Sequence, residues 1–169
     1  SDLFALQTSP DERVTLDEEL AAQDLYLGIE KARFGSRLDV VREIDTGLGK
    51  ALLPSLILQP VLENSVKYAV SRSRSPVRIG IRVHRAGELL VLEVTDSGGP
   101  DPAPQPGGTG VGLNNIRARL DVLYGKHADL AAGPAEGGGF AVCIRLPLEI
   151  RENADEHDAE GGRDARTDR

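Results

Sequence analysis

The sequence is poor in several residue types, and each shortage narrows the possible classes of protein. Its 169 residues include one cysteine, three tyrosines, three phenylalanines, no tryptophan and no methionine. Cys143 alone cannot form an internal disulfide, so we expect a reducing compartment and interpret this residue as a structural thiol in a strand. With so few aromatic rings, the core must be built from Leu, Val, Ile and Ala. Hydrophobic residues make up 40% of the chain, which is enough for one domain of this length.

A long apolar run is also missing. A membrane-spanning helix needs about 20 predominantly apolar residues, and the longest apolar stretch here, 51–62, is interrupted by Pro54 and Pro60. The first residues show no signal-peptide pattern. We therefore expect a chain that is not inserted in a membrane and lies in the cytoplasm, either in a free protein or as the cytoplasmic part of a membrane-bound one.

Positive charge is in the minority. Lys and Arg total 20 against 27 Asp and Glu, which gives a net charge of -7. A surface that binds nucleic acid needs a basic stripe, so we exclude nucleic acid as a partner. Residues 151–169 are rich in Asp, Glu, Arg and Gly, and their sequence contains almost no large apolar side chain. We expect them to form a disordered acidic tail, because they cannot bury enough surface to offset the entropy of ordering.

The region after residue 14 opens with a helix signal. Thr15 and Glu18 have the spacing of a capping box, in which each side chain accepts a hydrogen bond from the other residue's backbone N–H. Apolar residues then recur at intervals of seven up to Phe34, and Gly35 is a natural helix stop. The sequence therefore predicts a helix between Thr15 and Gly35.

Strand signals fill much of the remaining chain. Apolar and polar residues alternate on both sides of a short turn at 85–88, which predicts a hairpin. The predicted strands are 37–45, 77–83, 90–94, 128–132 and 140–148. Because they mostly form hairpins rather than strand-helix-strand crossovers, we predict an α+β fold. It would be a two-layer α/β sandwich with a mostly antiparallel mixed sheet covered on one face by helices.

A second predicted helix carries an unusual group of polar side chains. We place Pro54 in its first turn, with Pro60 either kinking the helix or marking the start of its main part. Four polar residues follow at offsets of three or four: Glu63, Asn64, Lys67 and Tyr68. Residues at these offsets share a helix face, so we expect all four to point the same way. Polar groups on a mostly buried helix are costly unless satisfied, and a bound metal-nucleotide would satisfy them.

Two glycine-bearing segments follow this helix. Asp96-Ser97-Gly98 ends a predicted strand, and its glycine lets a ligand approach the backbone. The second segment precedes a helix predicted at 113–124 and consists of Gly108, Thr109, Gly110, Val111, Gly112 and Leu113. Free backbone N–H groups at a helix N-terminus form an anion site. A dinucleotide-binding fingerprint would follow a strand directly, whereas this segment follows a Pro-rich loop at 100–110, which we interpret as a lid.

Taken in this order, the three segments resemble the N, G1 and G2 boxes of the ATPase superfamily that joins gyrase, the heat-shock chaperone, histidine kinases and mismatch-repair proteins. Within that superfamily, the chain resembles the autolysin-regulator branch of the sensor histidine kinases of two-component systems. The residues that carry this finer resemblance are Pro54, Gln59-Pro60-Val61-Leu62-Glu63-Asn64, the segment 108–120 and the run 26–35. The resemblance covers about residues 13–149.

This resemblance implies a Bergerat-type ATP-binding fold for residues 15–150, with residues 1–14 a remnant of an upstream dimerisation hairpin. The implied activity is transfer of the γ-phosphoryl group of Mg-ATP to a histidine on that hairpin, in a homodimer, and then onward to a response regulator. His84, His127 and His157 resemble no phosphoacceptor box, so we expect the acceptor histidine to lie outside this chain.

The resemblance also implies a catalytic set of three residues in the second helix. Asn64 is the expected Mg²⁺ ligand, since its neutral amide oxygen is of the hard type that this ion accepts. Lys67 presents a compact positive charge to phosphate oxygens. Glu63 is expected to orient or deprotonate the acceptor histidine.

The remaining implied roles concern nucleotide binding. Asp96 is expected to accept a hydrogen bond from the adenine amino group, with Gly98 leaving room for the base and Tyr68 lying beside the nucleotide. A segment expected to bind the β- and γ-phosphates, together with Lys67, consists of Gly108, Thr109, Gly110, Val111, Gly112 and Leu113.

One departure from the family pattern keeps other interpretations open. Many histidine kinases have a second Asn where this chain has Pro60, and the neighbouring Gln59 is the candidate for a substitute amide. The first alternative is a degenerate nucleotide-binding module, in which the nucleotide only sets conformation. The second is another ATPase or a serine kinase of the same superfamily.

Overall fold

The computed structural model describes residues 12–72, 75–97 and 107–152, without the side chains of residues 69, 71, 72 and 107–111. The expected hairpin remnant before residue 12, the lid residues 98–106 and the tail after residue 152 lie outside the described residues. Gly98 and His157 lie outside them as well.

The described part of the chain contains seven strands and three helices. In chain order they are β1 (Arg13–Thr15), α1 (Leu16–Phe34), β2 (Leu38–Ile44), β3 (Leu52–Pro54), α2 (Gln59–Arg72), β4 (Val77–Ala86), β5 (Leu89–Asp96), α3 (Gly107–Tyr124), β6 (Asp129–Pro134) and β7 (Phe140–Pro147). All the predicted strands are present, and β1 and β3 are additional.

Five strands form one sheet in the order β2-β4-β5-β7-β6. β2 runs parallel to β4, and the β4–β5, β5–β7 and β6–β7 pairs are antiparallel. α1 packs against β2, α2 against β4 and β5, and α3 against β6. The predicted α+β sandwich, with a mixed sheet and a helical layer, is confirmed.

The core lies between the sheet and the helices. In β4, every second residue from Val77 to Val83 is buried to 2% exposure or less, whereas Arg78 and Arg82 between them are exposed. The same period of two buries alternate residues of β5 and β7 beneath the helices: Leu90, Leu92, Val94, Val142, Ile144 and Leu146. No aromatic ring is among the fully buried side chains of the described residues, as the composition predicts.

The ends of α1 follow their sequence signals. The Glu18 backbone N–H donates to the Thr15 Oγ1 at 3.2 Å, and the Thr15 N–H donates to the Glu18 carboxylate at 3.4 Å, which completes the capping box. At the other end, Gly35 has φ 58° and its N–H bonds to the Lys31 carbonyl. A side chain disfavours this left-handed region, so glycine ends the helix at low cost.

Two predicted helix boundaries are wrong. Pro54 lies in β3, paired with Arg13, and not in the first turn of a helix. The alternative prediction, that the main part of the helix begins at Pro60, is confirmed, because α2 begins at Gln59. Pro60 thus occupies the first turn, where a residue without an N–H loses no intrahelical hydrogen bond. α3 begins at Gly107, upstream of the predicted Leu113. Glycines carry no apolar side chain, so the periodicity that marks this helix becomes visible only at Leu113.

The two chain ends of the domain meet at the β1–β3 sheet. Arg13 and Val14, which we assigned to the upstream segment, pair with Pro54 and Leu53. The Arg151 N–H donates to the Lys50 carbonyl at 3.0 Å. Among the described residues, no helix has the length and apolar character needed to cross a membrane.

Thr15→Ala removes the capping side chain of α1. We expect it to lower the free energy of unfolding by about 1 kcal/mol, measured by urea denaturation. Thr46→Ala, at an exposed turn position, is the control and should change stability by less than about 0.5 kcal/mol. Equal losses for the two variants would contradict the capping role.

Candidate functional site

The polar residues of α2 are divided between two surfaces. Asn64 and Tyr68 line a cavity beneath α3, whereas Glu63 and Lys67 line a groove beside α1. The expectation that all four share one face is therefore correct for each pair and wrong for the four together. The reason is helical geometry: neighbours such as Glu63 and Asn64 are rotated by about 100° from each other.

The cavity brings together residues from all three predicted boxes. Asn64 and Tyr68 come from the first box, Asp96 from the second and Leu113 from the third. The remaining wall is formed mainly by apolar side chains of α2 and β7: Val61, Ser65, Phe140 and Val142. The cavity measures about 20 Å³, which is room for about one water molecule.

Asp96 is positioned by the sheet. It is the last residue of β5, lies between Ile79 of β4 and Phe140 of β7, and is only 9% exposed. The period-two alternation that buries Leu92 and Val94 points the Asp96 side chain toward the same helical layer. A carboxylate is thereby held at the floor of the cavity.

The end of β5 is held on both sides. The Ser97 N–H donates to the Arg78 carbonyl at 2.9 Å, and the Arg78 N–H donates to the Ser97 Oγ at 2.8 Å. On the other side, a Cβ at Gly139 would overlap the carbonyl oxygen of Asp96, and Gly139 has φ 83°. The sequence analysis did not single out this residue, because three consecutive glycines at 137–139, between two predicted strands, indicate only a turn.

The third box approaches the first through a glycine. A Cβ at Gly112 would lie 3.4 Å from the Asn64 amide nitrogen and 4.0 Å from the Pro60 Cβ. Pro60, which replaces the second Asn of many histidine kinases, therefore packs near the glycine segment. The backbone of Gly108, Thr109, Gly110 and Val111 forms the first turns of α3, while their side chains are outside the described set.

The N-terminus of α3 provides hydrogen-bond donors. The first four N–H groups of an α-helix have no intrahelical acceptor and carry a partial positive charge. In α3 these groups belong to residues 107–110. Their position near the cavity fits the predicted anion site.

The groove on the other side of α2 measures about 690 Å³ and contains two aromatic residues of α1, Tyr26 and Phe34. At its edge, the Gln59 side-chain amide donates to the Glu63 carboxylate at 2.8 Å. Gln59 therefore orients Glu63 in this structure. The Lys67 ammonium lies 5.7 Å from the centroid of the Tyr68 ring, within the range of a cation–π contact, so Lys67 connects the groove with the cavity.

Oxygen-bearing side chains at the cavity determine whether Mg²⁺ could bind there. Among the residues that the structure describes, no group of three or more His, Cys, Asp or Glu side chains is placed to hold a metal ion. Asn64 supplies one amide oxygen at the cavity. Since Mg²⁺ usually takes only one or two protein ligands and completes its shell with phosphate oxygens and water, the residues present are compatible with this ion.

The Tyr26 phenol, which lines the groove, has a shifted pKa. Burial, followed by the negative charges of Glu30 and Glu63, raises the pKa of the Tyr26 phenol to about 12. An unperturbed tyrosine titrates near pH 10. The folded state therefore retains the Tyr26 proton more strongly than the unfolded state, and the stability from this group is lost as the pH rises from about 10 to about 12.

We expect the ultraviolet titration of the parent minus that of Tyr26→Phe to have its midpoint near pH 12. In urea denaturation, Tyr26→Phe should lose less stability than the parent between about pH 10 and pH 12. A difference titration centred near pH 10 would place Tyr26 in contact with solvent rather than in the groove.

Comparisons with known proteins agree with this geometry. The sequence pattern of the family described as "Histidine kinase-, DNA gyrase B-, and HSP90-like ATPase" matches residues 49–150. The sensor histidine kinase BtsS of Escherichia coli K12 is 35% identical over 138 residues, which cover 82% of this chain and 24% of BtsS. The sensor histidine kinase YesM of Bacillus subtilis is 33% identical over 137 residues, covering 79% and 24%.

The sensor protein LytS of Staphylococcus haemolyticus is 33% identical over 159 residues, which cover 88% of this chain and 27% of LytS. The chain thus spans about a quarter of the length of the curated relatives it matches. The predicted resemblance to sensor histidine kinases of the autolysin-regulator type is confirmed.

Solved structures share the fold. The catalytic domain of the histidine kinase ThkA matches with a TM-score of 0.60 at 16% identity, covering 83% of this chain and 98% of that domain. The mycobacterial sensor histidine kinase MprB matches with a TM-score of 0.56 at 21% identity, covering 83% and 100%. Because the family pattern matches more than half of the sequence, the chain belongs to the histidine kinase-, DNA gyrase B- and HSP90-like ATPase family.

Proposed function

We propose that this chain is the ATP-binding catalytic domain of a sensor histidine kinase. It would position ATP for transfer of the γ-phosphoryl group to a histidine on a separate dimerisation hairpin. The observation that carries the proposal is the cavity where Asn64, Asp96 and Leu113 meet, since each comes from a different box. The relatives BtsS and YesM, which are sensor histidine kinases, support it.

Asp96 would define the adenine end of the site. Its carboxylate would accept a hydrogen bond from the adenine amino group, whereas guanine has a carbonyl at that position and would be repelled. Val61 and Phe140 line the same cavity and offer apolar surface to the base. Full-length ShkA, which shares the fold at a TM-score of 0.60 and 19% identity, was solved with AMPPNP.

The phosphates would lie toward α3. The N–H groups of residues 107–110 would donate to phosphate oxygens, and Lys67 would add a positive charge. Asn64 would hold Mg²⁺ by its amide oxygen, and the ion, when bound, would neutralise charge on the phosphate oxygens.

A nucleotide needs more room than the cavity provides in this structure, since pockets for such ligands occupy about 300–1,000 Å³. A Cβ added to Gly112 on α3 would lie 3.4 Å from the amide nitrogen of Asn64 on α2, so the two helices are close together there. We therefore propose that nucleotide entry separates the N-terminal turns of α3 from α2.

Glu63 would act on the histidine that accepts the phosphoryl group. The hydrogen bond from Gln59 holds its carboxylate at the edge of the groove rather than in the cavity. From that position it would orient an acceptor histidine that approaches from outside the domain. A response regulator would then receive the phosphoryl group, and the full-length protein would act as a homodimer. ThkA has been solved in complex with the response regulator TrrA.

Asp96→Asn keeps the shape of the side chain but replaces a charged acceptor with a neutral one. We expect it to lower ATP affinity about tenfold or more, as for loss of a hydrogen bond to a charged group, measured by calorimetry. Glu93→Gln, on the opposite face of β5, is the matched control and should bind ATP as the parent does. Equal affinity of the parent for ATP and GTP would contradict the assignment.

Asn64→Ala should slow phosphotransfer to an added hairpin domain at least roughly a hundredfold, since metal stabilisation of the transition state is worth several kcal/mol. Nucleotide affinity should fall much less, because the Asp96 contact remains. Asn114→Ala, exposed on α3, is the control. Parental phosphotransfer by Asn64→Ala would place the metal elsewhere, and Gln59→Ala would then be tested.

A further inference from the structure

Glu19 of α1 is a buried carboxylate outside the predicted boxes. It is 1% exposed, and its two oxygens accept hydrogen bonds from the Leu56 N–H at 2.8 Å and the Leu58 N–H at 2.9 Å. A buried charge is costly unless it is hydrogen-bonded or paired. Glu19 is therefore retained in the core through the turn that immediately precedes α2.

That turn contains strained backbone. Leu56 has φ 58° and is the one non-glycine among the described residues with a positive φ. For an L-residue this conformation costs about 1–2 kcal/mol, and the Leu56 side chain is 41% exposed and contributes little packing in return. The bend places Ile57 and Leu58 in the core at 1% and 0% exposure. The two hydrogen bonds that the Glu19 carboxylate accepts span the bend and hold it.

Glu19 also faces α3. Arg119 of α3 is half-buried, and its charge interacts with Glu19. Burial raises the pKa of Glu19, while the hydrogen bonds from the turn and the charge of Arg119 oppose that rise. Gln23, one helical turn further along α1, is 0% exposed. The charge of Arg119 on α3 thus acts on the carboxylate that holds the turn leading into α2.

The two helices reached from Glu19 carry the first and third boxes. Leu58 leads directly into Gln59, and its carbonyl accepts the Leu62 N–H at 2.9 Å. Arg119 lies two turns along α3 from Gly112, the residue that approaches Asn64. A shift of the turn or of α3 therefore changes the spacing between Asn64 and Gly112.

We propose that Glu19 is a positioning residue for the nucleotide site: it holds the 55–58 turn in its left-handed conformation and thereby sets the place of α2 and its Asn64 relative to α3. This inference rests on the proposed function. If Glu19 has this role, the position of α1 affects the nucleotide site, because a displacement of α1 moves the turn through the Glu19 side chain.

The test compares Glu19→Gln with the parent in the 169-residue chain. The amide of Gln accepts with only one of its two polar atoms, so one hydrogen bond of the pair is lost. Hydrogen exchange of the Leu56 and Leu58 amides should then be faster than in the parent. Affinity for Mg-AMPPNP, measured by calorimetry, should fall about tenfold, as expected for loss of a hydrogen bond to a charged group.

The double variant Glu19→Gln/Leu56→Gly distinguishes positioning from simple stabilisation. Glycine adopts φ 58° without cost, so the turn should form without Glu19, and affinity should return to within about threefold of the parent. Glu18→Ala is the control, because it removes the carboxylate half of the capping box from the same helix, and among the described residues that carboxylate makes no hydrogen bond to the turn. It should lower stability and leave affinity at the parental value.

A further variant changes the turn and keeps the Glu19 carboxylate. Leu56→Val introduces a β-branched side chain that resists a positive φ, and it should weaken Mg-AMPPNP binding in the same direction as Glu19→Gln. Unchanged exchange and affinity in both Glu19→Gln and Leu56→Val, or a double variant as weak as Glu19→Gln, would overturn the inference. Failure of the parent to bind Mg-AMPPNP would instead overturn the proposed function, and amide exchange would still decide whether Glu19 holds the turn.

Discussion

The structure depends on a five-stranded sheet that, within the part of the chain that the structure describes, has its helices on one face. Because strand side chains alternate, one residue in two along β4, β5 and β7 is committed to the helical layer. In β5 that alternation passes through Leu90, Leu92 and Val94 and ends at Asp96. The alternation of strand side chains that builds the apolar core therefore also places the Asp96 carboxylate at the end of the core, beneath α2 and α3. There the carboxylate lines the cavity together with Asn64 and Tyr68, which is where the proposed adenine group would meet it.

Helical geometry adds a second constraint. α2 has sheet on one side and both other helices nearby, so its polar residues must leave the core in two directions. Asn64 and Tyr68 turn toward the cavity, and Glu63 and Lys67 toward the groove. This division separates two tasks that the proposed kinase must perform with one helix. Nucleotide and metal would be held on one side, and the acceptor histidine would be met from the other.

The polar junction of Glu19, Arg119 and the 55–58 turn shows how such a site can be held at a defined spacing. Apolar packing is tolerant of small shifts, whereas a carboxylate that bonds two backbone N–H groups fixes both distance and direction. The strained φ of Leu56 indicates that the turn is held by its surroundings and not by its own preference. Directional hydrogen bonds thus link α1 to the turn before α2, and the charge of Arg119 adds an electrostatic interaction with α3.

Local patterns in the sequence by themselves determined the capping box of α1, the alternation of β4, β5 and β7 and the fold class. These features depend on neighbours within a few positions, which a sequence displays directly. The resemblance to histidine kinases added the three boxes and the roles predicted for their residues. Only the tertiary structure decided four other features. These are the start of α2, the placement of Glu63 and Asn64 on different surfaces, the close approach of Gly139 to Asp96, and the hydrogen bond from Leu56 to Glu19. Each of these involves either a rotation about a helix axis fixed by packing or a contact between distant segments, such as Glu19 and Leu58. No local pattern marks such contacts, because their energy arises only when the chain has closed around them.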